Sequence, residues 1–323
     1  MSEHTAYQGG AGERPGQEHF VADVDETGLG AVDAVDDSGA PSSVWRERWR
    51  ALRRRPTFWV AAVLILLVCA IAAFPGLFTS QDPRFCELSN SLGEPRAGHP
   101  FGFDRQGCDI YARTIHGARA SVLVGVLSTL AAVLIGTVIG AFAGYFGGWL
   151  DTVLARVTDI FFAIPLVLAA IVVMQLFSGS RSIWTVVTVL AAFGWPQIAR
   201  IARGAVLSVK NNEFVTAALS LGMGRLGILW RHVLPNAAAP IIVYGTVALG
   251  VFIVTEATLS FLGIGLPASV TSWGGDIEKA QQSLRADPAV LFYPAGALAL
   301  TVLSFIMMGD AVRDALDPKG RQR

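Results

Sequence analysis

The chain has 323 residues, of which 53% are apolar and only 15% charged, with a mean hydropathy of +0.51. That is a membrane-protein composition, and it excludes an ordinary soluble globular domain. Lys plus Arg and Asp plus Glu balance at 25 each, but the balance averages an acidic amino-terminal tail against arginine-rich segments, so it identifies no partner.

Residues 1–43 carry Gly9, Gly10, Gly12 and Pro15 among scattered acidic groups, with too few apolar residues for a core. They are expected to be disordered within a cytoplasmic tail of residues 1–56. Arg46, Arg48, Arg50, Arg53, Arg54 and Arg55 precede the first apolar run, 57–78, and basic residues beside a span stay in the cytoplasm. The run starts far from Met1, and no small-residue cleavage site follows Phe78, so it reads as a retained anchor rather than a signal peptide. Residues 79–119 are polar and rich in proline and glycine. They predict an extracytoplasmic loop, with Ile110, Tyr111 and Ile115 in a short interfacial helix.

Further apolar runs at 122–142, 153–177, 183–206, 237–262 and 288–308 each approach the roughly 20 residues a bilayer requires. The fold expected is therefore all-α with six transmembrane helices, the core occupying 120–311 and a cytoplasmic tail 312–323. Gly136, Gly140 and Gly144 fall four apart on one helix face, which permits close packing either within the subunit or against another. With the amino terminus inside, Arg156, Arg200, Arg203, Lys210, Arg225, Arg231 and Arg313 also lie inside, as the charge bias of short loops favours.

Between the fourth and fifth spans, residues 211–236 are polar and cytoplasmic. Asn212 can cap a helix opening at Glu213, Gly222 and Gly224 supply a turn, and a second short helix fits 225–233. Pro235 biases Leu234 away from helix, so the next element is expected to restart beyond it. This segment resembles the coupling loop of ABC importer permeases, whose pattern is Glu-Ala-Ala, three residues, Gly, nine residues, Ile-x-Leu-Pro. Ala217, Ala218, Gly222, Leu234 and Pro235 match; Thr216 replaces the Glu and His232 the Ile, and Glu213 stands one turn earlier with a carboxylate. The strings His-Pro-Phe-Gly-Phe-Asp at 99–104, Gly-Ala-Arg at 117–119, Ser-Trp-Gly at 272–274 and His-Val-Leu-Pro-Asn at 232–236 resemble the C-type permease of the dipeptide and oligopeptide branch.

The resemblance implies a bacterial cell-membrane permease subunit that forms half of a translocation pathway for peptides. It implies a second related permease, two ATP-binding subunits or one fused ATPase carrying ATP and Mg, and an extracytoplasmic substrate-binding protein. No nucleic-acid partner is expected. Nickel chelates or other small solutes are the alternative cargo. A self-sufficient secondary transporter would need internal repeats and interrupted helices, and neither is evident in the sequence.

No catalytic constellation and no metal site stand out. The chain lacks Gly-x-x-x-x-Gly-Lys-Ser/Thr, and His4, His19, His99, His116 and His232 show no paired ligand spacing. Asp159 follows Arg156 closely enough to pair with it. Glu256, inside the fifth span, reads equally as a pathway-lining group or a buried structural hydrogen bond. Cys69 lies in the first span. Cys86 and Cys108 share one extracytoplasmic loop and are expected to form a disulfide rather than a zinc site with His99 and Asp104; closing a loop of this length stabilises by about 3 kcal/mol on the chain-entropy account.

Overall fold

The computed structural model describes residues 49–50 and 52–316; the expectations for the amino-terminal tail up to residue 48 and for residues 317–323 lie outside them. Among the described residues the regular structure is helical, with only isolated β-bridges at Cys86–Cys108, Arg96–His99 and Phe103–Asp109. Five helices are long and apolar enough to cross a membrane: α1 (Pro56–Ala73), α2 (Ile110–Phe146), α5 (Ile183–Val209), α7 (Arg225–Phe261) and α9 (Ala289–Leu316). Three shorter ones are α3 (Gly148–Phe162), α4 (Leu166–Leu176) and α6 (Glu213–Ser220), and α8 (Trp273–Ala280) lies between α7 and α9.

Three expected boundaries move. The first span ends at Ala73, after which Pro75–Leu77 form a single 3-10 turn. No separate interfacial helix precedes the second span: α2 runs unbroken for 37 residues and carries His116 within it. At about 1.5 Å per residue it is about 55 Å long, well beyond the roughly 30 Å hydrocarbon layer. Asp109 starts it by accepting a hydrogen bond from the Tyr111 amide. The third span, expected as one helix, is instead the pair α3 and α4, bent by 78°. Pro165 causes the break, since it lacks a donor and disfavours helix at Ile164. An interrupted helix is therefore present after all.

The packing partners fix the direction of every crossing. A Cβ added to Gly136 would meet Ile198, one added to Gly140 would meet Ala202, and one added to Gly144 would meet Val206, so α2 and α5 run parallel. Gly125 faces Ile253 and Gly245 faces Val133, so α7 is antiparallel to α2. Gly250 meets Val302 while Gly309 meets Thr246, making α9 antiparallel to α7. Arg55 at the start of α1 pairs with Asp314 near the end of α9, whereas Val68 belongs to the buried cluster against which Ala297 and Leu298 pack. Because α2 and α5 are parallel neighbours, the chain must return between them, and the bent pair makes that return. Arg55, α6 and Asp314 consequently share one end of the bundle; the 79–109 segment and α8 share the other.

The α2–α5 seam is the most extensive pairing in the molecule. It buries Trp195, Ile198, Ala199 and Ala202 on α5 against the glycine stripe of α2. That stripe packs within this subunit, which settles the choice left open by the sequence. Two checks follow from this packing. Gly140→Leu should drive α2 off α5 and abolish recovery of monodisperse protein, because the added atoms meet the Ala199 carbonyl and Ala202. Gly204→Leu, on the same α5 but with nothing within 4 Å of the added Cβ, should elute and melt as wild type. Size-exclusion profiles and thermal melts in detergent compare them.

Candidate coupling site and polar clusters

At the shared end, α5 closes into Lys210, whose Nζ donates to the Gly144 carbonyl at 2.8 Å and ties the C-termini of α2 and α5 together. Arg203 forks onto both oxygens of Asp151 at 2.6 and 2.7 Å, and Arg200 reaches Asp159 at 2.7 Å. These pairs fasten α3 to α5. The expected Arg156–Asp159 contact is present but longer, at 3.7 Å.

Beyond Lys210, α6 begins at Glu213 as expected, although Asn212 makes no side-chain cap. Gly222 has φ +78°, a backbone setting that glycine adopts without penalty and other residues resist. The expected halt at Pro235 does not occur. Arg225–Ile228 pass through a π-turn at Leu229–Val233 into Leu234–Phe261 as one continuous helix. Pro235 falls in the first turn after the π-turn, where a missing donor is tolerated.

The residues matching the coupling pattern do not form one face. Val215 and Ala218 turn inward against Val206, Ile228, Leu229 and Val233, and Leu234 packs against the same cluster. Glu213, Thr216, Ala217, Gly222 and Pro235 are exposed. Ala218 thus anchors the helix to its own subunit rather than entering a groove on another. The exposed set is joined by residues the sequence reading passed over: Phe214, Leu219, Leu221, Leu226 and Trp230, with Leu221 88% exposed. Phe214, Ala217 and Leu221 recur at helical spacing on a stripe adjoining the buried face of Val215 and Ala218, a signal readable in the sequence.

At the opposite end Cys86 and Cys108 are joined by a disulfide across a separation of 22 residues. Arg113 lies one turn into α2, donates to the Pro83 carbonyl and pairs with Asp276 of α8. Trp273 is buried; its indole N–H donates to the Thr114 carbonyl at 2.8 Å and its amide to Ser121 Oγ. Ser272 caps α8 by accepting from the Gly275 amide. The Ser-Trp-Gly string therefore wedges α8 between α2 and α7. Burial pushes the Asp276 carboxyl up and Arg113 draws it back down, while Lys279 is lowered by burial and then by the Arg113 charge.

Glu256 sits near this end, roughly 32 Å along α7 from Pro235, and is fully buried. Ser260 Oγ donates to its Oε1 at 2.8 Å. Its Oε2 is buried without a partner, and the fold does not bring Glu256 near the coupling residues.

Comparison with known proteins joins these parts. The family described as "binding-protein-dependent transport system inner membrane component" matches residues 136–322, and the "N-terminal TM domain of oligopeptide transport permease C" matches 43–92. The oligopeptide transport system permease protein OppC of Bacillus subtilis (strain 168) is 36% identical over 90% of this chain and 95% of its own length. The dipeptide transport system permease protein DppC of Alkalihalophilus pseudofirmus is 36% identical over 88% of this chain and 93% of its own. The glutathione transport system permease protein GsiD of Escherichia coli O6:K15:H31 is 37% identical over 85% and 90%. Among solved structures, a chain of the inward-facing MetNI methionine ABC transporter superposes with a TM-score of 0.53 at 18% identity, covering 64% of this chain and 97% of that one, which shows a shared fold. With a family match across more than half its length and relatives aligned along nearly all of it, this chain belongs to the binding-protein-dependent transport system inner membrane components and is a multi-pass permease subunit of an ABC importer.

Proposed function

We propose that this permease imports short peptides, forming half of a pathway that separate ATPase subunits drive. The observation that carries the cargo is that the relatives named above span oligopeptide, dipeptide and glutathione systems, all of which handle peptides. The working assembly adds a second related permease, two ATP-binding subunits or one fused ATPase holding ATP and Mg, and an extracytoplasmic substrate-binding protein. The chain itself hydrolyses nothing, consistent with its lack of a phosphate-binding loop. The shared end carries Arg55, Arg200, Arg203, Lys210, Arg225 and Arg231, which supports a cytoplasmic placement of α6 and both termini. The opposite end, with its disulfide, then faces the oxidising compartment.

In this reading the exposed apolar face of α6 and its turn enters a groove on the ATPase. Val215 and Ala218 hold that face to α5 and α7, so ATPase closure moves the spans and changes which side the pathway opens to. Glu213 sits in the first turn of α6, where a carboxylate favours the positive end of the helix dipole.

Proteoliposomes holding the permease with its partners should accumulate radiolabelled tripeptide only when ATP and the binding protein are supplied. Accumulation by this subunit alone would refute the proposal. Leu221→Glu should leave the melting temperature of the permease within about a degree, since surface substitutions typically cost under about 0.5 kcal/mol, yet cut peptide-stimulated ATP hydrolysis at least about ten-fold. Ala218→Glu should instead lower the yield of folded permease, because it buries a charge. The disulfide is read by peptide mapping without reductant, which should recover Cys86 and Cys108 in one crosslinked fragment.

A further inference from the structure

A cavity of about 220 Å³ opens between the 263–272 connection, the first turns of α8 and Arg181, just ahead of α5. Its charged groups do not satisfy one another. Arg113 is committed to Asp276, yet Asp276 Oδ2 has no partner although the side chain is only 9% exposed. Arg181 donates an Nη1 hydrogen to the Gly263 carbonyl at 2.6 Å, while its buried Nε finds no acceptor. Lys279 and Glu278 also line the cavity, and no ion pair among the described residues engages either. Lys279 is held below its ordinary range by burial and by the Arg113 charge, so an anion placed beside it would relieve the crowding.

The cationic part of the inventory fits a carboxylate. A guanidinium offers a fork of N–H donors matched to a carboxylate, and an ammonium beside it adds a point charge. Size narrows the ligand further: drug-sized ligands occupy pockets of about 300–1,000 Å³, so this cavity admits the end of a peptide rather than a whole one. Recognition of end groups leaves the side chains unread. Resting on the import reading, which places this end on the face that receives cargo, we propose that the cavity is a receiving subsite for the terminal carboxylate of a short peptide. Arg181 and Lys279 take that carboxylate.

The test uses the permease assembled with its partner subunits in nanodiscs, without the binding protein. Trialanine and its C-terminal amide are titrated against it by calorimetry. Wild type should bind the free acid about ten-fold more tightly than the amide, a difference of about 1.4 kcal/mol. Lys279→Gln should weaken the acid and leave the amide unchanged, and Arg181→Gln with Lys279→Gln should make the two equal. Arg181→Gln removes the charge but retains a donor for the Gly263 carbonyl, so the loop stays anchored; unchanged size-exclusion behaviour verifies it. Equal binding of the two probes by wild type, no measurable binding, or a wild-type ratio in the double variant each overturns the subsite. ATP-driven trialanine uptake by the wild-type complex in proteoliposomes supplied with the binding protein reports on the import reading separately. Uptake without acid-over-amide preference in the titration sinks the subsite alone, whereas absent uptake sinks the import reading while the titration still decides the subsite.

Discussion

The close approach of α2 to α5 is the constraint on which the rest of this fold depends. Two parallel helices cannot follow one another directly in a chain, so their contact obliges the intervening segment to cross back. Only Gly136, Gly140 and Gly144 let the α5 backbone come near enough: their missing side chains leave the space that the Trp195 and Arg203 carbonyls occupy. In a lipid environment, where apolar burial between helices gains little, such backbone proximity and the dispersion contacts it permits supply the association. Every later element is placed against this pair. The α7 helix lies along α2 through Gly125 and Gly245, α9 lies along α7, and α1 closes on α9 with its Arg55–Asp314 pair.

The same seam is tied to its neighbours at both ends. Lys210 pins the end of α5 to the end of α2, and Asp151 and Asp159 bind α3 to α5. In the proposed coupling, a push on α6 would reach α3 through ion pairs and α7 through the cluster of Val215, Ala218, Ile228 and Val233. At the far end, Arg113 and Trp273 tie the start of α2 to α8 and the first loop. The bend at Ala163 to Pro165 is the one interruption among the described crossings.

Much of this was legible in the residues. Runs of apolar side chains give span number, because the bilayer imposes a length on each. The α6 helix and its Gly222 turn were legible too, since glycine spacing is local chemistry. What the sequence concealed is of two kinds. Pro165 and Pro235 look alike locally, yet one breaks a span and the other is absorbed by a π-turn; the difference lies in which neighbours brace the helix, a tertiary matter. Ala217 and Ala218 are likewise adjacent and chemically identical, but only the fold decides that Ala218 faces Val206 and Ala217 faces outward. The Arg113–Asp276 pair joins residues far apart in the chain, and no periodicity announces it.

The π-turn at Leu229–Val233 has a consequence for how the two halves of α7 are phased. A π-turn accommodates one residue more than the surrounding α-helix, and each residue of an α-helix turns the rod by about 100°. The membrane half of α7 is held by Ile253 against Gly125 and by Gly250 against Val302. The short half, Arg225–Ile228, continues from the Gly222 turn. The extra residue thus acts as an angular offset between them, setting the compass bearing of Leu226 independently of the packing inside the bilayer. Gaining or losing a single residue there would swing the exposed Leu226 by about 100° while the spans stay where they are.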